Sequence, residues 1–166
     1  MWSLERWRAG LNRAEFDCGE ELLNLWLREQ AGQSERRDTA RTFVAVGNGD
    51  VIVGYFSLVA GQLAADESGI EPLDSRYPIP CVRLARLAVD LKFQGSGVGS
   101  LLLGEAVRLA SEVLERAAVQ VLVVDALNLD AVAFYARWGF RRFRDDPLRL
   151  YLTSQDIRAS IRAAGG

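Results

Sequence analysis

Apolar positions along the chain recur at two spacings, and the spacing separates predicted strands from predicted helices. Short apolar or alternating runs rich in β-branched residues predict strands at 41–46, 51–63, 82–89, 119–126 and 148–152. Apolar residues three or four positions apart predict helices after residue 20, from residue 98 to about residue 117, and after residue 128. With a short first strand within residues 2–16, the order is β-α-β-β-β-α-β-α-β. This order predicts an α/β fold: a mixed sheet with helices packed on it, as a single domain over residues 1–166.

Two connections predict how neighbouring strands pair. Asn48-Gly49 lies between apolar runs, which predicts a hairpin that makes strands 41–46 and 51–63 antiparallel neighbours. A helix separates the runs 82–89 and 119–126, so these two strands are predicted to be parallel. Residues 65–80 contain three of the four prolines and predict a long irregular segment.

Local patterns refine the predicted helices. Asp17 and Glu20 precede the first helix at the spacing of a capping box. In the last helix of the core, Trp138 is predicted to be a core residue, and Gly139 is the expected left-handed residue at the C-terminus. The inward face of the helix from residue 98 is predicted to hold Leu101, Leu102, Ala106, Leu109, Ala110, Val113 and Leu114.

The stretch Gln94-Gly95-Ser96-Gly97-Val98-Gly99 links a predicted buried strand to the start of the longest predicted helix. Glycine lets the backbone approach a ligand because no Cβ stands in the way. The first amides of a helix have no intrahelical acceptor, and the helix dipole points its positive end at the same place. The stretch therefore predicts a binding site for a phosphate or diphosphate, against the alternative of an ordinary glycine-rich loop.

The composition of the chain excludes several classes of catalytic and metal site. The chain contains no histidine, which excludes Ser-His and Cys-His nucleophile schemes and most zinc sites. Cys18 and Cys81 are far apart and in no metal-binding spacing, which favours a reduced, cytoplasmic chain without a metal. The net charge of −2 gives no global sign of nucleic-acid binding. No apolar run is long enough to span a membrane, and the N-terminus lacks the apolar centre of a signal peptide.

Two motifs together resemble the GNAT acetyltransferases. Gln94-x-x-Gly97-x-Gly99 matches that family's (Gln/Arg)-x-x-Gly-x-(Gly/Ala) signature, and it lies between a strand and a helix as it does in the family. Phe134-Tyr135 followed by Gly139-Phe140 matches the F-Y-x-x-x-G-F part of a second family block. The resemblance covers roughly residues 41–152. It implies the GNAT-type fold, in which a mostly antiparallel sheet is splayed at two parallel strands.

The resemblance implies that acetyl-CoA is the co-substrate, and it assigns residues to it. The backbone of Leu87, Ala88 and Val89 would pair with the pantetheine arm, and one of these amides would polarise the thioester carbonyl. Asn128 would line the gap beside the arm. Contacts with the diphosphate would come from Gln94, Gly95, Ser96, Gly97, Val98, Gly99 and Ser100.

Tyr135 is the catalytic residue that the resemblance implies, as the general acid for the departing thiolate. The spacing of apolar residues alone is also compatible with a core tyrosine. Many GNAT enzymes carry a glutamate on the strand that here reads 82–89, but this chain has arginines there and no acid before Asp90. The base is therefore unassigned. A missing base favours an α-amine acceptor over a lysine amine, because a good fraction of an α-amine with a pKa of about 8 is neutral without one.

A narrower set of segments resembles the toxin branch of the family, which acetylates the α-amine of aminoacyl-tRNA and is neutralised by a ribbon-helix-helix antitoxin. These segments include Phe16-Asp17-Cys18-Gly19, Arg41-Thr42-Phe43-Val44 and Leu84-Ala85-Arg86-Leu87-Ala88-Val89-Asp90. Such relatives are often homodimers. Candidate contacts with the acceptor RNA are Arg83, Arg86, Arg36 and Arg37. Residues 137–149 contain five arginines and two aspartates, so this segment has a local charge of +3. The acidic pI of about 5.3 counts against strong RNA binding.

Three other functions stay open at this point. The first is a housekeeping acetyltransferase for a small-molecule amine or a protein N-terminus. The second is a dinucleotide-binding module, since Gly95, Gly97 and Asp125 imitate part of that fingerprint, although Ser100 stands at its third glycine position. The third is an acyl-CoA sensor that binds without turnover.

Overall fold

A computed structural model describes residues 2–64 and 77–165, so most of the predicted irregular segment 65–80 lies outside the described residues. The strands are β1 (Ser3–Arg6), β2 (Arg41–Val46), β3 (Ile52–Leu63), β4 (Ile79–Val89), β5 (Val121–Asp125), β6 (Arg141–Arg142) and β7 (Arg149–Thr153). The helices are α1 (Glu21–Leu25), α2 (Ala31–Arg36), α3 (Val98–Arg116), α4 (Leu129–Arg137) and α5 (Ser154–Gly165), and a π-helical turn (Trp26–Gln30) joins α1 to α2. Within the described part, none of the helices is both long and apolar enough to cross a membrane.

The strands form one sheet in the order β1-β2-β3-β4-β5-β7-β6. Strands β2 and β3 are antiparallel, which confirms the predicted hairpin, and the connection carries positive φ angles at Gly49 and Asp50. Strands β4 and β5 are parallel, with Cys81 to Leu84 in register with Val121 to Val124. The mixed sheet with one parallel pair is therefore confirmed, whereas its splaying stays a prediction.

The chain forms two compact units. The first comprises Met1–Val59 and Ala85–Ala106, and its core includes Leu27, Val44 and Tyr55, all fully buried. The second comprises Ala60–Leu84 and Val107–Gly166, and its core cluster is Leu63, Ile79, Cys81, Val121, Val123, Phe143 and Tyr151. The boundaries of the units fall within β3, β4 and α3. The single domain over residues 1–166 stays a prediction.

The first helix does not begin as the sequence predicts. Its N-cap is Glu20, without a side-chain hydrogen bond, so the predicted capping box is wrong. Instead, the Asp17 carboxylate accepts from the Gly19 amide at 2.9 Å and from Asn24 Nδ2 at 3.0 Å. The carboxylate therefore closes the turn before the helix, which is the local bonding that favours Asp in turns.

Helix α3 has the predicted bounds but a shifted buried face. Leu102, Ala106, Ala110 and Leu114 are buried as predicted, whereas Leu101 is 55% exposed and Val113 is 38% exposed. Leu103 and Val107, which lie one position on from Leu102 and Ala106, are buried instead. Apolar residues occupy more positions of this helix than one face can bury, so periodicity alone could not choose among them.

Candidate active site

The glycine loop (Gln94–Gly97) leads directly into the N-terminus of α3, where the sequence predicts it. Gly95 has φ +81° and Gly97 has φ +90°, values that favour glycine, and no heavy atom lies within 4 Å of a Cβ built at either position. The first hydrogen bond of the helix runs from the Leu101 amide to the Gly97 carbonyl oxygen, at 3.1 Å. The amides of residues 97–100 therefore have no intrahelical acceptor and lie at the positive end of the helix dipole. This arrangement can bind a phosphate.

The side chain of Gln94 holds the glycine loop in place. Its Nε2 donates to the Val89 carbonyl oxygen at 2.9 Å and to the Cys18 carbonyl oxygen at 3.2 Å. One bond reaches the end of β4 and the other reaches the turn before α1. The two N–H groups of the amide are thus used within the protein, so Gln94 positions the loop in addition to any contact with a cofactor.

Asp90 ties the same segments together through its carboxylate. It is 6% exposed; its Oδ2 accepts from the Asp17 amide at 3.2 Å and its Oδ1 from the Lys92 amide at 2.9 Å. The Leu91 amide donates in return to the Asp17 carbonyl oxygen at 2.8 Å. Both carboxylate oxygens have main-chain donors, so the acid nearest to the end of β4 in sequence has a structural role and does not supply the missing base.

The end of β4 lies against β3 at Gly54, the first of the two glycines in that strand. A Cβ at Gly54 would lie 3.0 Å from the Ala88 carbonyl oxygen, 2.9 Å from Leu102 Cδ1 and 3.4 Å from Val98 Cγ1. Gly54 therefore lets β3 pack closely against Ala88 and against the first turns of α3. The close approach sets the position of the strand segment 87–89 relative to the glycine loop.

Arg86 lies among three side chains that the sequence does not associate with it. Its guanidinium carbon lies 4.0 Å from the centroid of the Trp26 ring, and its Nη1 donates to Ser57 Oγ at 3.3 Å. Trp26 stacks on Tyr55 with ring centroids 5.8 Å apart, and the Tyr55 hydroxyl donates to the Leu23 carbonyl oxygen at 2.7 Å. Burial lowers the pKa of Arg86 and raises the pKa of Tyr55. We call Trp26, Tyr55, Ser57 and Arg86 the Arg86 cluster.

The other three candidate arginines have different surroundings. Arg83 belongs to the second unit, where its Nη1 donates to Asp125 Oδ2 at 2.8 Å, and Arg149 Nε donates to Asp125 Oδ1 at 2.9 Å. Arg36 is exposed at the end of α2, and Arg37 is the exposed C-cap of that helix. Of the four, only Arg86 combines burial with a rigid aromatic support.

Tyr135 lies on α4 in the second unit and is 5% exposed. The helix ends in a Schellman motif: the Phe140 amide donates to the Tyr135 carbonyl oxygen at 3.3 Å, and the Gly139 amide donates to the Ala136 carbonyl oxygen at 3.0 Å. Gly139 has φ +90°, as predicted. The ring of Phe140 packs on that of Tyr135, with centroids 5.7 Å apart. The Gly-Phe pair of the sequence block thus fixes the orientation of the Tyr135 ring.

The hydroxyl of Tyr135 keeps its proton over the physiological range. Burial raises the pKa of Tyr135 above its ordinary value of 10.0. No group in the described part of the chain hydrogen-bonds this hydroxyl. A neutral phenol with a free O–H can donate a proton to an external acceptor, as a general acid must.

Asn128 and Trp138 cap the two ends of α4. Asn128 is the N-cap, and its Oδ1 accepts from the Ala131 amide at 2.9 Å. Its side-chain oxygen is thus used to cap the helix. Trp138 is 40% exposed, so its prediction as a core residue is wrong. The physical reason is that Trp138 is the C-cap, where the backbone leaves the helix and its side chain leaves the stripe of Val132 and Tyr135.

The first unit brings together the strand end 87–89, the glycine loop, the start of α3 and Arg86, while Tyr135, Asn128 and Arg83 belong to the second unit. The association of Arg86 with Trp26, Tyr55 and Ser57 was not predictable, because no spacing links the π-helical turn, β3 and β4. The contact of Phe140 with Tyr135 was predictable in principle, since the residue after a C-terminal glycine is the position at which a hydrophobic contact with the helix is expected.

Comparisons with known proteins give a consistent picture. The chain matches the family model described as Acetyltransferase (GNAT) family over residues 3–140. It is 37% identical over 147 residues to the tRNA-acetylating toxin of Mycobacterium tuberculosis (strain ATCC 25618 / H37Rv), and the match covers 88% of each chain. A solved structure of AtaT complexed with acetyl-methionyl-tRNAfMet has a TM-score of 0.88 at 25% identity, covering 97% of this chain and 99% of that one. A tyrosine-to-phenylalanine variant of AtaT bound to the C-terminus of the antitoxin AtaR and acetyl-CoA has a TM-score of 0.83 at 25% identity, covering 96% and 98% of the two chains.

Proposed function

We propose, since this chain belongs to the acetyltransferase (GNAT) family, that it transfers the acetyl group of acetyl-CoA to the α-amine of aminoacyl-tRNA and acts as a toxin that stops translation. The observation that carries the proposal is the 37% identity to a tRNA-acetylating toxin over 88% of both chains. The glycine loop at the N-terminus of α3 supports it, because the loop presents free amides suited to the diphosphate of acetyl-CoA.

The reaction needs three contributions from the protein. The amides of residues 97–100 hold the diphosphate, and the backbone of Leu87, Ala88 and Val89 aligns the thioester arm, with one amide polarising the carbonyl. The neutral α-amine attacks the carbonyl carbon, and the carbon–sulfur bond breaks. Tyr135 donates its hydroxyl proton to the departing sulfur, and it is reprotonated, through water, by the proton that the amine nitrogen loses.

The absence of a glutamate on β4 agrees with an α-amine as the acceptor. The carboxylate of Asp90 is bound by two main-chain amides, so it is not available as a base. An α-amine with a pKa of about 7.7–8.0 is partly neutral at cellular pH, whereas a lysine amine with a pKa of about 10.4 is not. Water is a sufficient proton acceptor for the former.

Partners follow from the same proposal. The AtaT structures show that toxin with an antitoxin C-terminus and with an acylated tRNA. We expect this chain to be neutralised likewise by a ribbon-helix-helix antitoxin, to form a homodimer and to act in the cytoplasm, where charged tRNA is found. The molar mass from light scattering, with and without a co-expressed antitoxin, tests the homodimer and the antitoxin complex.

Labelled acetyl-CoA and purified aminoacyl-tRNA test the activity directly. We expect the label to appear in RNA, and mild base to release it as an N-acetyl amino acid. Uncharged tRNA is the control and should remain unlabelled. Turnover with small amines or with peptides that have free N-termini, but not with aminoacyl-tRNA, would instead identify a housekeeping acetyltransferase.

A further inference from the structure

Arg86 carries a charge that the described part of the protein does not neutralise. Within residues 2–64 and 77–165, no carboxylate forms an ion pair with it, and its one hydrogen-bond partner is the neutral hydroxyl of Ser57. The guanidinium is half-buried, and Ser57 is fully buried. Even partial burial of a charge without a counter-ion is costly, which favours an anionic partner for Arg86 at some stage of function.

The Arg86 cluster also fixes the direction of the guanidinium. The group stacks on Trp26 at 4.0 Å, and Trp26 stacks on Tyr55 with planes 9° apart. The hydroxyl of Tyr55 is bonded to the main chain of α1. Of the five N–H donors of the guanidinium, the hydrogen bond to Ser57 uses one. The remaining donors form a planar, pre-oriented fork, which is the geometry that arginine uses for phosphate.

Arg83 shows what a structural arginine on the same strand looks like. Its guanidinium donates to Asp125 at 2.8 Å. Arg149 shares that carboxylate and also lies 4.0 Å from a second one, that of Asp146. Arg83 therefore has its counter-ion within the fold. Arg86 differs from Arg83 in this respect, and it is the residue immediately before the strand segment 87–89, which the proposed function assigns to the thioester arm.

We propose that Arg86 binds a phosphodiester at the 3′ end of the aminoacyl-tRNA, and so places the esterified amino acid for attack. This inference rests on the proposed function. A phosphate of acetyl-CoA could bind Arg86 in the same way, but the free amides at the start of α3 already supply a site for the diphosphate. The phosphodiester that joins the last two nucleotides lies close to the reactive amine in the substrate itself, so one arginine can act there as an anchor for the acceptor end.

Two variants and two acceptors test the inference. Arg86→Met keeps the length and the contact with Trp26 but removes the charge, whereas Arg86→Lys keeps the charge but loses the fork. Each is assayed with aminoacyl-tRNA and with the methyl ester of the same amino acid, which has the α-amine but no phosphate. Arg162→Met, in the exposed part of α5, is the matched control.

For Arg86→Met we expect KM for aminoacyl-tRNA to rise about 10- to 100-fold, as the loss of a charged phosphate contact implies. For Arg86→Lys, KM for aminoacyl-tRNA should lie between the values of the wild type and Arg86→Met, because lysine keeps the charge but cannot form a bidentate contact. KM for acetyl-CoA and turnover of the methyl ester should stay at the wild-type values, and Arg162→Met should match the wild type throughout. Thermal unfolding of each variant shows whether the fold is kept.

Several results would overturn the inference. An equal loss of activity with the methyl ester would show that Arg86 acts on the amine or on the fold. A rise in KM for acetyl-CoA would show that Arg86 binds a phosphate of the cofactor. Unchanged kinetics with aminoacyl-tRNA would show that Arg86 binds no acceptor phosphate. If instead the wild type does not acetylate aminoacyl-tRNA at all, the proposed function fails, and that outcome is distinct from wild-type activity that is insensitive to residue 86.

Discussion

At the scale of single residues, Tyr135 combines burial, a fixed ring and a hydroxyl that no described group binds. A core tyrosine usually finds a partner for its hydroxyl, as Tyr55 does with the Leu23 carbonyl oxygen. The contrast between these two buried tyrosines favours a chemical role for Tyr135 over a purely structural one.

Tyr135→Phe should lower kcat for acetyl transfer about 10²- to 10⁴-fold, the usual contribution of a general acid. The unfolding temperature should not fall, since the hydroxyl has no described partner and the contact with Phe140 is kept. Steady-state kinetics with aminoacyl-tRNA and a thermal melt measure the two effects. Tyr151→Phe, which alters another buried tyrosine of the same unit, is the control and should keep its activity. Wild-type activity of Tyr135→Phe would remove the residue from the mechanism.

Stability at alkaline pH should report on the same two tyrosines. Burial raises the pKa of Tyr55 and of Tyr135 above 10.0, whereas in the unfolded chain both titrate near that value. Below pH 10 both states are protonated, and the contribution of these groups to stability is fully present. Above it the unfolded state loses protons first, so the free energy of unfolding falls by up to about 1.4 kcal/mol per pH unit for each group.

Urea unfolding between pH 8 and pH 11 measures this decline. In Tyr135→Phe the slope above pH 10 should be shallower than in the wild type, because one titrating group is gone. An identical slope in the two proteins would mean that Tyr135 ionises equally in the folded and unfolded states.

At the scale of elements, the close contact of β3 with β4 and α3 depends on Gly54. Gly54→Ala would place a methyl group 2.9 Å from Leu102 Cδ1 and 3.0 Å from the Ala88 carbonyl oxygen. We expect a loss of about 1–3 kcal/mol in the free energy of unfolding, the usual cost of overpacking. KM for acetyl-CoA should also rise, because Ala88 must move.

Gly61→Ala is the matched control within the same strand. The nearest atom to its added Cβ is Cys81 Sγ at 3.8 Å, an ordinary van der Waals distance. It should leave stability and KM nearly unchanged. Chemical unfolding and acetyl-CoA kinetics of both variants make the comparison, and equal effects at the two glycines would refute the packing argument.

How far the sequence predicts an element depends on whether local chemistry decides its geometry. The start of α3 and the left-handed Gly139 were predictable, because glycine at a helix end is a local requirement. The exposure of Leu101 and Trp138 was not, since it depends on which of several apolar positions meets the sheet and on where the helix ends. The Arg86 cluster was out of reach for a related reason: its members come from three elements that are distant in sequence and share no spacing.

At the scale of the whole molecule, charge is distributed unevenly. The chain has a net charge of −2, yet residues 137–149 carry a local charge of +3 and Arg86 lacks a described counter-ion. An overall acidic protein can therefore still bind RNA through local positive sites. The acidic pI, which counted against RNA binding at the level of sequence, is an average over these regions.

The salt dependence of the two acceptors should differ accordingly. Between 50 and 200 mM salt, KM for aminoacyl-tRNA should rise about 10-fold or more, because each neutralised phosphate releases counterions. KM for an amino-acid methyl ester should change little, since this acceptor has no phosphate. The ratio of the two KM values across a salt series isolates the RNA contribution, and parallel changes would show that RNA charge does not contribute.

The bond between Gln94 and the main chain of Cys18 gives the molecule a built-in reporter. Cys18 is buried, and burial raises the pKa of its thiol, so a maleimide should label it only when the turn opens. Because the same turn is held by the residue that anchors the glycine loop, a bound acyl-CoA should slow that labelling. In a Cys81→Ser background, one thiol would then record the occupancy of the nucleotide end of the cofactor without any attached dye or added tag.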